Sequence, residues 1–317
     1  MKLSIIIPTR NRAHFLRVTL ESILIQTLPQ NKFEVIVVDN GSEDETKKVV
    51  EYYITKIKNL VYLYDDTPGL HIGRHKGLLA ARTNILVYAD DDIEPFPTWL
   101  EGILDSFESY DVAIVGGKIL PKFEEDPPGW ILDLWNKNNM IPYLSIIDMG
   151  DEVKYIDPLY IFGCNFSILK EVLIEAGGFH PDGMPDEFIK FRGDGETYVA
   201  NYIKKNGYKA IYNPKASVYH IVSKKRMTKN YFKKRAFLQG ISDSYSDIRN
   251  ERKRKFIKLR LKKFLKSYFL KDDINVDEAY IRGYFWHQKQ VKKDPSLLNW
   301  IKKDNYLMNG DLDHAIY

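Results

Sequence analysis

The sequence predicts an α/β fold: a doubly wound, mostly parallel sheet flanked by helices. Three observations carry this. Apolar runs rich in Ile and Val alternate with amphipathic stretches roughly every 20 to 30 residues. Runs such as Ile5-Ile6-Ile7 and Ile85-Leu86-Val87-Tyr88 are apolar throughout, as strands covered on both faces are. The runs end abruptly in polar residues, where open α/β sheets bind their ligands.

The first strand, Ser4 to Ile7, leads into Pro8-Thr9-Arg10-Asn11-Arg12. Pro8 lacks an N–H and is expected to end the sheet hydrogen bonding, leaving a polar loop to meet a ligand. From His14 to Gln26, Phe15, Leu16, Val18, Leu20, Ile23 and Leu24 recur at helical spacing. A second strand, Phe33 to Val38, ends at Asp39, placed to accept hydrogen bonds from a base or ribose. Ser42 followed by Glu45 resembles a capping box opening the next helix. Leu60 to Tyr64 reads as a third strand and Gly73 to Ala81 as a helix.

The strand Ile85 to Tyr88 ends in Asp90-Asp91-Asp92. Three adjacent carboxylates repel one another and hold up the pKa of at least one member unless a cation offsets them. A hard divalent ion that bridges to a phosphate answers that need. The competing reading is an acidic turn capping the helix that starts near Pro97.

Beyond Asp111, Val112 to Ile119 reads as one strand containing the pair Gly116-Gly117. Residues 122–160 lack clear periodicity and carry Trp130 and Trp135, which suits a substrate-facing loop or a packed excursion. The chain returns to the sheet at Ile161 to Phe166, forms a helix to Glu175 and turns at Gly177-Gly178. A second acidic cluster, Gly193-Asp194-Gly195-Glu196, has two glycines that let the backbone bend and present both carboxylates. The helix Tyr198 to Asn206 stops at Gly207, and a strand pair leads to His220.

Composition narrows the class. The chain has 317 residues, a net charge of +4 and 44% hydrophobic residues, as a globular protein does. Its single cysteine, Cys164, excludes an intramolecular disulfide and fits a reducing compartment. No apolar run approaches a membrane span or a signal segment, so a cytoplasmic location is expected. Neither a G-x-G-x-x-G turn nor a P-loop is present, which disfavours dinucleotide oxidoreductases and ordinary NTPases.

Taken together, the ordered motifs resemble the family 2 glycosyltransferases of GT-A fold over about residues 3 to 240. The motifs are Ile6-Ile7-Pro8-Thr9-Arg10-Asn11-Arg12, Val37-Val38-Asp39-Asn40-Gly41-Ser42, and Asp90-Asp91-Asp92 with the Pro95 to Leu100 that follows. Gly177-Gly178-Phe179, Gly193 to Thr197 and Tyr219-His220 follow in the family's order. The resemblance implies inverting transfer of a hexose-type sugar from a nucleotide diphosphate sugar, with a UDP-sugar the leading donor. The acceptor is then a glycan or lipid-linked hydroxyl in polysaccharide synthesis. It also implies a donor-binding set of Pro8, Thr9, Arg12, Asp39, Arg74, Asp90 and Asp91, with Thr9, Asp39 and Arg74 at the nucleoside. Asp92 and His220 would hold Mn²⁺ or Mg²⁺. Counted back from Gly207-Tyr208, Glu196 occupies the base position, and Asp194 is the alternative. Arg226 to Arg235 resembles the ending where a basic residue and a Tyr reach the diphosphate.

The expected division is a catalytic domain over 1–222 and a basic helical extension over 223–317 packing on it. Arg252 to Leu270 places Ile257, Leu261, Phe264, Leu265 and Tyr268 on one stripe among nine Lys or Arg. That stripe either docks on the catalytic domain or lies peripherally on anionic lipid at the inner face of the cell membrane. Nucleic acid is not an expected partner, since no recognised module accompanies the charge. Two rival functions stand beside the transferase: a non-catalytic scaffold of the same fold, and a nucleotidyltransferase.

Overall fold

The computed structural model describes residues 1–252 and 276–307. Its first half alternates β1 (Leu3–Thr9), α1 (Ala13–Leu24), β2 (Phe33–Asp39), α2 (Thr46–Ile54), β3 (Leu60–Tyr64), α3 (Leu70–Ala80) and β4 (Ile85–Ala89). Then come β5 (Ile93–Pro95), α4 (Trp99–Ser109), β6 (Ile114–Gly116), β7 (Ile119–Phe123), α5 (Gly129–Asn138), β8 (Met140–Ile141) and β9 (Ile146–Ile147). The catalytic-type core closes with β10 (Lys154–Ile156), β11 (Asn165–Leu169), α6 (Lys170–Glu175), α7 (Glu196–Lys205), β12 (Ala210–Tyr212) and β13 (Val218–Val222). Among the described residues three helices follow: α8 (Lys229–Arg249), α9 (Val276–Lys293) and α10 (Pro295–Lys302).

An eight-stranded sheet runs in the order β10-β12-β6-β11-β4-β1-β2-β3, and a five-stranded one in the order β5-β13-β7-β9-β8. In the large sheet the β1, β2, β3 and β4 neighbours and the β6–β12 pair are parallel, while β11 and β10 run antiparallel to theirs. Alternation along β1 and β2 divides the core. Leu3, Ile5 and Ile7 face Leu16 and Leu20 of α1, Val50 of α2 and Ile103 of α4. Ile6, Ile36 and Val38 face the opposite way, onto Leu78 of α3, Leu173 of α6 and Val199 and Ile203 of α7. Burying each such aliphatic side chain contributes about 1.5–3 kcal/mol, which fixes strand register more firmly than the short loops do.

Several local expectations change. Pro8 does not end β1: pairing with β2 continues to Thr9 opposite Asp39, and only the pairing with β4 stops, at Ile6. The N-terminus of α2 is bonded by Asp44, whose carboxylate accepts from the Thr46 N–H at 3.0 Å, while Ser42 Oγ instead accepts from the Asn11 N–H. The strand expected over Val112 to Ile119 is two strands in two sheets. The chain changes sheets at Gly117, where a Cβ would stand 1.9 Å from the Ala216 carbonyl oxygen. Residues 122–160 hold α5 and the β8–β9 pair.

The C-terminal helices pack through backbone-close crossings. A Cβ at Gly240 of α8 would meet the Tyr280 carbonyl at 2.1 Å, and one at Gly283 of α9 the Phe237 carbonyl at 2.0 Å. Leu297, Trp300 and Ile301 of α10 pack with Tyr245 of α8 and with Ile72, Met184 and Phe191 of the core. The amphipathic basic segment expected at 252–270 lies outside the described residues apart from Arg252. Among the described residues no helix is long and apolar enough to cross a membrane.

Buried histidines make this packing acid-sensitive. Burial pushes His71 down to about 3 and His287 down to about 4 from an ordinary 6.5, and holds His75 and His180 below it as well. Each is neutral in the folded chain and takes up a proton on unfolding once the pH is below about 6.5. Their stabilisation is complete above that pH and is lost as pH falls toward the folded values. Stability is expected to drop by up to about 1.4 kcal/mol per pH unit for each such histidine. Urea midpoints at pH 7 and pH 5 check this; equal midpoints would contradict it.

Candidate active site

The acidic run joins the two sheets. It leaves β4 of the large sheet and enters β5 of the small one, where β5 pairs with β13 so that His220 stands opposite Ile93. The Ile221 N–H donates to the Asp92 carbonyl at 2.9 Å, locking the run against β13 from behind. The Thr19 hydroxyl of α1 bonds the Asp91 and Ile93 carbonyls at 2.8 and 2.7 Å. Downstream, Trp99 Nε1 donates to the Asn165 side chain at 2.9 Å, and Asn165 in turn donates to the Ala216 carbonyl. The Trp after the triple Asp therefore braces β11.

Around this frame the carboxylates acquire different partners. Thr9 donates its hydroxyl to Asp91 Oδ2 at 2.7 Å, and Arg12 Nε lies 3.2 Å from Asp91 Oδ1. Arg12 Nη2 reaches Asp92 Oδ2 at 2.5 Å, and Arg226 Nη1 reaches the same oxygen at 3.0 Å. Arg226 is itself oriented by Tyr231, whose hydroxyl accepts from Nε at 3.1 Å. Burial pushes the Asp91 carboxyl up to about 7, against the pull of Arg12. Asp90 is also raised, first by desolvation and then by Asp92. Asp92 goes the other way: burial opposes its ionisation, but His220 first, and then the Arg12 and Arg226 guanidiniums, outweigh that and hold it well below the ordinary range.

His220 is buried beside Asp92. Its Nδ1 lies 2.8 Å from the Leu144 carbonyl oxygen, so Nδ1 carries the proton. Its Nε2 carries no proton and accepts a hydrogen bond from Arg226 Nη1 at 3.1 Å. Asp92 Oδ1, 3.3 Å from Nε2, is buried without a hydrogen bond. Two acceptor atoms thus face each other, Nε2 engaged by Arg226 and Oδ1 without a partner. Adjacent ligands of an octahedral ion with bonds of about 2.1 Å lie roughly 3 Å apart, so the pair fits a hard divalent cation. Asp90, Cys164 and His220 also bring ligand atoms within 4.8 Å of one another.

The second acidic cluster is divided. Glu196 opens α7 and takes a long hydrogen bond, 3.4 Å, from Arg74 Nη1. Asp194 has both oxygens engaged, one 2.6 Å from His180 Nδ1 and the other accepting from Ser246 of α8 at 2.5 Å. At the end of β2, Asp39 accepts from the Ser42 N–H and from the Tyr62 hydroxyl, each at 2.8 Å. Pro8 lies under α3, where a Cβ at Gly73 would come within 3.1 Å of its ring.

The structure therefore gathers Thr9, Arg12, Asp91, Asp92 and His220 into one cluster with Arg226, and links Asp90 to Glu196 through Arg74. Cys164 was not anticipated there. Its place follows from register: β11 runs antiparallel to β4 with Asn165 opposite Ala89, which brings Cys164 beside Asp90. No local spacing in the sequence carries that information. Asp182, which pairs with Arg192 at 2.6 Å and lies against Gly195, was also not anticipated.

Comparison with known proteins places the chain in a family. AglE, a glycosyltransferase of Haloferax volcanii, is 35% identical over 117 residues, 37% of this chain and 38% of that protein. Glucosyl-dolichyl phosphate glucuronosyltransferase of the same organism is 23% identical over 258 residues, 78% of each chain. The mannosyltransferase PcManGT of Pyrobaculum calidifontis, solved with GDP-Man and Mn²⁺, superposes with a TM-score of 0.59 at 20% identity. That match covers 92% of this chain and 75% of PcManGT, and it shows a shared fold. The chain spans well under two thirds of AglE, though most of the second relative. The glycosyl transferase family 2 model matches residues 4–174, more than half of the sequence. This chain belongs to glycosyl transferase family 2 and is a glycosyltransferase of GT-A fold.

Proposed function

We propose that the protein transfers a sugar, with inversion, from a nucleoside diphosphate sugar to a hydroxyl of a glycan or lipid-linked acceptor. The unpartnered, buried Asp92 Oδ1 beside His220 Nε2 carries this reading, because a divalent cation that takes the place of Arg226 at Nε2 would satisfy both. Asp92 and His220 would hold Mn²⁺ or Mg²⁺, which when bound supplies Lewis-acid stabilisation of the departing diphosphate. Thr9 and Arg12 keep Asp91 and Asp92 in place, and Asp90 contacts the ribose or the sugar. Asp39, at the end of β2, faces the nucleoside with Pro8 and Thr9 beside it. Arg226 and Tyr231 supply a cation and a hydroxyl for the diphosphate. Glu196 removes the acceptor proton as general base. Asp194, bonded on both oxygens, anchors the loop that carries Glu196. That PcManGT binds GDP-Man and Mn²⁺ supports the donor class. The glucuronosyltransferase that acts on a dolichyl phosphate glucoside supports a lipid-linked acceptor, which the protein would meet peripherally at the cytoplasmic membrane face.

The test incubates the protein with UDP- and GDP-sugars and Mn²⁺ or Mg²⁺, following product and melting temperature. A donor that binds only the folded chain raises the melting temperature, by an amount that grows with the logarithm of its concentration over its Kd. Release of nucleoside diphosphate is expected. Pyrophosphate release would instead show a nucleotidyltransferase, and the absence of binding or turnover across the panel would favour a scaffold.

A further inference from the structure

We propose that Arg74 is a positioning residue for the transfer step, holding the Glu196 carboxylate in line with Asp90, and does not contact the nucleoside. The inference rests on the reading of Glu196 as base. The Arg74 guanidinium is 3% exposed, with Nη1 3.4 Å from Glu196 Oε2 and Nη2 3.9 Å from Asp90 Oδ1. One charge thus spans the carboxylate assigned to the donor and the one assigned to the acceptor proton.

The socket around it is built from two glycine motifs. Phe179, in the Gly177-Gly178-Phe179 turn, lies under the guanidinium, with Cζ 4.9 Å from the ring centroid. Phe179 is pinned in turn by its N–H, which donates to His75 Nε2 at 2.9 Å, one position along α3 from Arg74. Gly163 closes the other side. A Cβ there would stand 2.5 Å from Arg74 Nη2 and 3.1 Å from Glu196 Oε1. The absent side chain lets the guanidinium and the carboxylate meet.

The direction of the side chain separates Arg74 from the nucleoside end of the cleft. The α3 residue that meets that end is Gly73, where a Cβ would lie 2.3 Å from Asn40 Oδ1. Arg74 leaves the helix toward β4 and α7. Its bond to Oε2 is the one hydrogen bond to the Glu196 side chain among the described residues, so Oε1 remains available to take the acceptor proton.

The test compares R74Q, R74K, E196Q and the double variant R74Q/E196Q by steady-state and single-turnover kinetics. R74Q is expected to lower kcat by about 10- to 100-fold, the cost of a misplaced reacting group. Donor KM should stay within about twofold, since uniform binding is untouched. R74K, which keeps the charge but not the planar fork, should recover part of the loss. The double variant should be no slower than E196Q, because groups acting as a unit do not give multiplying losses. A raised donor KM with unchanged kcat, or losses that multiply in the double variant, would overturn the assignment. If R74Q does not fold, R74K and G163A carry the same comparison, G163A being expected to lower kcat at unchanged KM. An E196Q variant with normal turnover would defeat the base reading itself, whatever R74Q does. An inactive E196Q beside an unimpaired R74Q would remove Arg74 alone.

Discussion

Replacing Glu196 by Gln lowers sugar transfer by about 10²- to 10⁴-fold, the usual worth of a positioned general base. Donor affinity in the presence of metal should be nearly unchanged. The reasoning is steric as much as chemical. Gln occupies the same volume at the start of α7, and its amide oxygen still accepts from Arg74 Nη1, so the Arg74 socket keeps its shape. What disappears is the capacity to take a proton from an acceptor hydroxyl. Calorimetric titration of donor combined with single-turnover transfer separates the two quantities. Near-normal turnover in E196Q would move the base elsewhere. Asp194 is a poor substitute, because both its oxygens are bonded, to His180 and to Ser246.

Asp92→Asn should act at the opposite end of the reaction. In the native chain an ionised carboxylate, 3% exposed, balances Arg12 and Arg226 and leaves Oδ1 facing His220 Nε2. The neutral amide removes one anionic metal ligand and leaves two guanidiniums crowded around an uncharged group. Donor affinity measured with Mn²⁺ is expected to fall by about 10- to 100-fold, the scale on which perturbing a metal site lowers metal affinity. Affinity without metal should change little, and the melting temperature should fall as well, because the cations lose their partner. Equal metal-dependent affinity in D92N and the native protein would take Asp92 out of the ligand set.

Much of the frame was legible because strand ends and like-charge runs are local signals. The alternation of apolar runs gave the sheet, and Asp90-Asp91-Asp92 gave the cluster and its conflict. The structure resolves that conflict by raising Asp90 and Asp91 while lowering Asp92. The features that escaped are products of register and packing. Cys164 reaches Asp90 because β11 is antiparallel to β4, and Gly117 divides one apolar run between two sheets because the Ala216 carbonyl crosses there. Arg74 was placed with the nucleoside by motif order, yet its side chain runs toward Glu196. One helical step separates a residue that meets β2 from one that meets α7, and motif order does not resolve a step that small. The start of α2 shows the same limit: the capping box expected of Ser42 and Glu45 does not form, because the loop's path turns Ser42 Oγ to the Asn11 N–H and leaves Asp44 to meet Thr46.

The bond from the Ile221 N–H to the Asp92 carbonyl has a bearing on how the chain matures. The acidic run is written early in the sequence, but its back wall and one of its guanidiniums arrive with β13 and Arg226, the latter 134 residues later. During synthesis the large sheet can assemble most of its strands before the cleft exists at all. The three aspartates, two of them already paired with Arg12, then await a late segment to enclose them. Contacts so distant in sequence form slowly, because loop closure must precede their reward. Closing the site therefore requires the chain through Arg226 to be present.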